Sequence, residues 1–155
     1  MSAGPAPNAA VNPNLAGPSL TLKRRLNAAP EKVYAAWTDP AQIAKWFGPD
    51  AGAVTSAETD VRVGGRYTVI FHTEDGEEHY VSGVYREVVR NEKLQFTWAW
   101  RSTPERESLV TILIKAEGAG SILTLIHEKF FDDAARDRHE YGWTGSLNKL
   151  EKLFA

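Results

Sequence analysis

From residue 53 to residue 130 apolar side chains recur at every second position, in segments divided by hairpin-length turns. After residue 132 the period becomes helical and stays so to the end of the chain. A period of two turns successive side chains to opposite faces of a strand. Thus RYTVIFH (66–72) sets Tyr67, Val69 and Phe71 against Arg66, Thr68 and His72. KLQFTWAW (93–100) puts Leu94, Phe96, Trp98 and Trp100 on one face. A run of such segments followed by one long helix leaves few architectures open: the sheet has an apolar face to bury, and the helix is the element that can cover it.

The turns support that reading. Asp75-Gly76 is a strong hairpin signal before EHYVSGVYREVV (78–89). Arg90-Asn91-Glu92 leads into the Trp-rich strand, and Glu117-Gly118-Ala119-Gly120 joins SLVTILIKA (108–116) to SILTLIHEKF (121–130). AVTSAETDVRV (53–63) is expected as one strand, ended by a turn or bulge at Gly64-Gly65. Six strands at this spacing predict an antiparallel meander.

Ahead of them, SLTLKRRLN (19–27) alternates like a short strand. Pro30 then suits the first position of a helix carrying Val33 and Trp37. Asp39-Pro40-Ala41-Gln42 reads as a cap, an N1 proline and the N3 partner of a capping box. Ile43, Trp46 and Phe47 give that second helix its apolar face, and Gly48-Pro49 stops it. The last helix is expected to start near Asp132 or Asp133. At about 100° per residue, Trp143, Leu147, Leu150 and Phe154 form one stripe, and His139 falls on the same line. The predicted class is α+β: a curved antiparallel sheet of six to seven strands wrapped on a long C-terminal helix, with two short helices after the first strand.

Composition narrows the function classes. The net charge of −2 gives no electrostatic footprint for nucleic acid. The chain has no cysteine, which rules out disulfides, thiolate nucleophiles and Cys-ligated metals. No apolar run nears the roughly 20 residues that span a bilayer, so stable membrane insertion is not expected. Residues 1–18, rich in Ala, Pro, Asn and Gly, read as a disordered tail rather than a signal peptide. Residues 19–155 read as one domain, and a cytoplasmic location is expected.

Five stretches carry a family resemblance: AAPEKVYAAWTDPAQIAKWFGP (28–49), VRVGGRYTVIF (61–71), GVYREVVRNEKLQFTW (83–98), LTLIHEKF (123–130) and HEYGWTGSLNKLEKLF (139–154). Together they resemble the START-like (SRPBCC) superfamily, and within it the branch named for homology to the activator of heat shock protein 90 ATPase. The resemblance implies the helix-grip fold, with a pocket between sheet and last helix for an apolar or amphipathic small molecule. It also implies two other readings: a cyclase- or hydrolase-type enzyme using the same cavity, and a chaperone-associated protein. The co-chaperone that names the branch makes its main chaperone contact through a separate N-terminal domain, where this chain has a short tail.

The candidate residues follow from the same surfaces. Tyr67, Tyr85, Trp98, Trp143 and Leu147 are the leading pocket candidates, joined by Trp46, Phe71 and Leu150. Core packing explains each of them equally well. Arg66 and His139 are candidates for a ligand's polar end, with His139 near the helix start at a pocket rim. His127 and Glu128 are strand neighbours and point to opposite faces, so they cannot act together on one substrate. Both faces of that strand carry apolar residues, so alternation does not say which one looks inward; a hydrogen-bonded structural role is expected for His127. The four histidines match no metal-binding spacing, and no catalytic residue, metal or cofactor is assigned. A small-ligand carrier or sensor is the leading expectation.

Overall fold

The computed structural model describes residues 17–155. All but Gly17 and Pro18 of the expected tail lie outside the described residues. The order is β1 (Leu20–Leu26), α1 (Pro30–Thr38), α2 (Pro40–Trp46), β2 (Val54–Thr59), β3 (Arg66–His72), β4 (Glu78–Val89), β5 (Lys93–Trp100), β6 (Ser108–Glu117), β7 (Gly120–Glu128) and α3 (Asp133–Leu153). Strand, two short helices, six strands and a long helix is the arrangement the periodicities predict.

The seven strands form one antiparallel sheet in the spatial order β1-β7-β6-β5-β4-β3-β2. The first two strands in sequence therefore lie at opposite edges. α1 and α2 carry the chain between them, and the meander returns strand by strand until β7 pairs with β1. Pro30 opens α1, and Asp39 caps α2 by accepting from the Ala41 N–H at 3.0 Å. Asp132 caps α3 in the same way through the Ala135 N–H at 2.8 Å.

The first strand of the meander is shorter than its alternation suggests. β2 ends at Thr59, and residues 60–65 fold into a turn in which Arg62 bonds the Asp60 carbonyl and Gly65 the Arg62 carbonyl. A side chain at 65 would place its Cβ 1.9 Å from the Asp60 oxygen, so only glycine closes this turn. The alternation of Val61 and Val63 is thus a turn's, not a strand's.

One face of the sheet is buried beneath α3 and the two short helices. Tyr67, Val69, Phe71, Val81, Tyr85, Leu94, Phe96, Trp98, Val110, Ile112, Leu123 and Leu125 come from its strands, and Trp143, Leu147 and Leu150 from α3. A bulge between Tyr85 and Glu87 keeps both Tyr85 and Val88 on the core side. Gly83 lies opposite Tyr67 in the β3–β4 register, and its missing side chain lets the Tyr67 ring cross β4. The phenol then donates to the Thr97 carbonyl of β5 at 2.6 Å, linking three strands. At the β1 edge, Arg24 reaches Glu151 of α3 at 2.6 Å.

α3 runs unbroken through Gly142 and Gly145. Gly145 is where the α2–β2 loop meets the helix: a Cβ there would sit 2.1 Å from the Pro49 carbonyl oxygen. The same loop is tied down by Ser146, whose Oγ accepts from the Gly48 N–H at 3.1 Å and donates to the Gly48 carbonyl at 2.9 Å. Lys149 donates to the Asp50 carbonyl at 2.6 Å.

Candidate functional site

Antiparallel pairing puts the β3–β4 hairpin, the β5–β6 loop and the β7–α3 connection at one end of the sheet. There the first half of α3 stands off the strands, and a cleft of about 880 Å³ opens. Its walls include Phe47, Phe71, Trp98, Trp100, His139 and Trp143. The rings touch one another: Trp98 lies 5.0 Å from Trp143 and 5.4 Å from Trp100, and Phe47 lies 5.6 Å from Phe71, centroid to centroid. Deeper in, under α1 and α2, the space is filled. A void of about 20 Å³ lies there, bounded by residues including Trp37, Trp46, Tyr67 and Tyr85.

Two histidines organise the cleft's tryptophans. Trp98 and Trp100 both direct indole N–H groups at His139 Nε2, at 3.3 and 2.9 Å. An indole nitrogen only donates, so Nε2 is an acceptor. The proton then resides on Nδ1, which donates to the Ala135 carbonyl at 2.7 Å. His127 is fully buried, and its Nδ1 accepts from Trp143 Nε1 at 3.0 Å. Its proton is therefore on Nε2 and is donated to Ser108 Oγ at 2.7 Å. Both rings are held neutral. Burial pushes His127 well below the usual imidazole value, and neighbouring His139 adds to this. His139 is lowered chiefly by burial, against the raising effect of its Ala135 bond; Arg138 lowers it further.

This bonding limits the chemistry available. Ser108 and His127 are placed like a nucleophile and its base, but the nitrogen facing the hydroxyl carries the proton and cannot take another. His139 has both nitrogens engaged. Burial raises Tyr67, with Tyr85 adding to it, and burial likewise raises Tyr85, so neither is a phenolate near neutral pH. Among the described residues no three His, Asp or Glu side chains gather as a metal site would require.

The sequence candidates separate into four places. Phe71, Trp98, His139 and Trp143 line the open cleft. Trp46, Tyr67 and Tyr85 face the small inner void, where Trp98 is also a wall. His127, Leu147 and Leu150 are sealed in the core. Arg66 is exposed and lines neither space. His127 proves to be the inward member of its pair, level with Leu123 and Leu125. Sequence reasoning passed over Phe47, His79, Trp100, Phe130 and the arginines 101, 106 and 138, all of which line the cleft. Trp100 shares the alternation of Trp98 and was within reach of that signal; the arginines lie in a loop and on the exposed side of a helix, where no periodicity marks them.

A curved sheet closed on a long C-terminal helix, with two short helices after the first strand and a cleft between, defines a START-like protein of the helix-grip fold. The chain belongs to the family described as activator of Hsp90 ATPase homolog 1-like protein, which it matches over residues 27–155. It is similar to protein CV1439 from Chromobacterium violaceum, at 31% identity over 88% of this chain and 96% of that one, with a TM-score of 0.79. The AHSA1 (SPO3351) protein from Silicibacter pomeroyi is 32% identical over 87% and 96% of the two chains, with a TM-score of 0.75. Protein NE0264 from Nitrosomonas europaea, at 24% identity, 87% and 92% coverage and a TM-score of 0.73, shares the fold. A search among curated proteins finds no match. Membership of this family supports a function of ligand-binding or activator type. Among the described residues no helix is long and apolar enough to cross a membrane.

Proposed function

We propose that the protein binds an apolar or amphipathic small molecule in the cleft, as a carrier or sensor. The observation that carries this reading is the pairing of the cleft's indole N–H groups with His139 in its wall and His127 in the core behind it. An aromatic floor whose polar atoms are satisfied internally offers a ligand apolar contact without a desolvation penalty. Burial there is worth about 25 cal/mol per Å² before association costs are subtracted. His127 and His139, neutral and with both nitrogens bonded, are poorly placed for acid–base catalysis in the same space. The family description also supports a chaperone-associated role, exercised through surface contacts; a pulldown with the chaperone ATPase, with and without residues 1–18, tests it.

The ligand reading is tested with a panel of fatty alcohols, fatty acids and aromatic metabolites, followed by thermal shift and native mass spectrometry. Gly142 lines the cleft, and a Cβ there meets only Pro49 Cβ at 4.0 Å, an ordinary contact. Gly142→Leu is therefore expected to fill the cleft without disturbing the fold, and to abolish the adducts and stabilisation seen with the unaltered protein. Absence of any adduct, or adducts indifferent to Gly142→Leu, would overturn the reading.

A further inference from the structure

Because the floor of the cleft uses its polar atoms on itself, recognition of a ligand's polar end falls to the rim. The rim's charges are unequally partnered. On the β3–β4 hairpin, Glu77 and Glu78 also line the cleft and lie 3.8 Å from His79 and His72, rings that offset a carboxylate's charge only when protonated. On the β5–β6 loop and α3, two of the three cleft-lining cations have no such neighbour among the described residues. Arg106 has its nearest carboxylate, on Glu105, at 3.9 Å. Among the described residues no carboxylate comes within 4.0 Å of Arg101 or Arg138. The contrast within α3 is direct: Arg136 is held by Asp133 and Asp137, whereas Arg138, which lines the cleft, is not.

Two of these guanidiniums are already oriented. Arg106 lies 3.9 Å above the ring of Phe131, and Arg101 lies 5.2 Å above Tyr80. A guanidinium seated over a ring still has N–H groups to donate, and its fork of donors matches the two oxygens of a carboxylate. Phe131, 62% exposed, and Tyr141, 76% exposed, stand on the same rim beside these cations. Apolar rings next to exposed guanidiniums suit the neck of a molecule whose tail is apolar and whose head is an anion.

We propose that the cleft selects amphipathic carboxylates, with the apolar body on the Trp98–Trp100 floor and the carboxylate bonded by Arg106 and Arg138. Arg101 adds to the positive field at the mouth. This inference rests on the reading of the cleft as a ligand site and adds the ligand's charge to it.

The test compares decanoate with 1-decanol, which share a tail and differ in head, on the full chain below their aggregation concentrations. Binding is followed by the indole N–H resonances of Trp98 and Trp100. Decanoate is expected to bind about tenfold more tightly at low salt, the scale of a hydrogen-bonded ion pair. The advantage is expected to shrink in about 0.5 M NaCl, where exposed charges are screened. The double substitution Arg106→Gln with Arg138→Gln, at exposed positions, is expected to bring decanoate to the level of decanol and leave decanol unchanged. Equal binding of the two by the unaltered protein overturns selection by charge and leaves the ligand site standing. So does a decanoate preference that survives the double substitution. Binding of neither compound overturns both readings.

Discussion

Trp143 donates its indole N–H to Nδ1 of His127 across 3.0 Å of fully buried interior, joining the middle of α3 to the end of β7. Trp37 makes an instructive contrast, because its Nε1 is the buried side-chain polar atom left without a partner among the described residues. Removing a donor that serves a buried acceptor leaves the acceptor bare, at about 1–3 kcal/mol. Removing an orphaned donor relieves a penalty of similar size. Trp143→Phe is therefore expected to lower stability by about 2 kcal/mol, while Trp37→Phe lowers it by much less, or raises it. Urea denaturation of both variants checks this, and an equal loss from each would refute the contrast.

Gly142 and Gly145 are expected to respond oppositely to the same change. At Gly142 a methyl group finds ordinary contact, so Gly142→Ala is expected to stabilise the helix by about 0.5–1 kcal/mol. At Gly145 the Cβ would overlap the Pro49 carbonyl at 2.1 Å, and backbone cannot turn aside as a flexible side chain can. Gly145→Ala is expected to cost about 2–3 kcal/mol by prising the α2–β2 loop from α3 and straining the Ser146 and Lys149 bonds. Thermal melting of the two variants decides; a stable Gly145→Ala protein would show that the approach is not a tight one.

What could be read from the sequence was whatever a local period or a turn residue determines. The alternation of Leu94 to Trp100, the caps at Asp39 and Asp132, and the Trp143–Leu147–Leu150 stripe are all local, and all three appear in the fold. The inward aim of His127 was not legible, because both faces of β7 carry apolar side chains and the helix above decides between them. Nor could the sequence say which part of the sheet–helix interface stays open. Trp37, Trp46 and Phe47 fill one part of it, and their meeting depends on how α1 and α2 cross the sheet. No local pattern marks the role of Gly145, which is set by Pro49, nearly a hundred residues away in the chain.

Tyr67→Phe is expected to weaken the sheet without altering the cleft. The phenol of Tyr67 serves the Thr97 carbonyl at 2.6 Å from a buried ring, over the space left by Gly83. Losing the hydroxyl removes one good hydrogen bond and leaves that carbonyl a partner short, a cost of about 1–2 kcal/mol. Tyr67 faces the inner void rather than the open cleft, so ligand affinity measured at 25 °C is expected to stay the same. A large loss of affinity in a folded Tyr67→Phe protein would place the binding surface deeper than the cleft.

The two neutral histidines give the fold an acid sensitivity with a definite sign. His127 and His139 have folded pKa values below the usual imidazole value of 6.5, both chiefly through burial. Between those values and 6.5 the unfolded chain binds protons that the folded chain refuses. Stability rises with pH wherever the unfolded state binds more protons. Their contribution is thus complete above about pH 6.5 and is lost as the pH falls from there through the folded values. Protonating His139 at Nε2 would set a third N–H against the indoles of Trp98 and Trp100, and protonating His127 at Nδ1 would set one against Trp143. Urea midpoints measured downward from pH 7.5 are expected to decline below about pH 6.5. Proton NMR is expected to show the ring signals of His127 and His139 still in the neutral form at pH values where the imidazoles of the unfolded chain are protonated. Midpoints that rise on acidification over this range, or normal titration of His127, would contradict the assignment of both rings as buried hydrogen-bond acceptors.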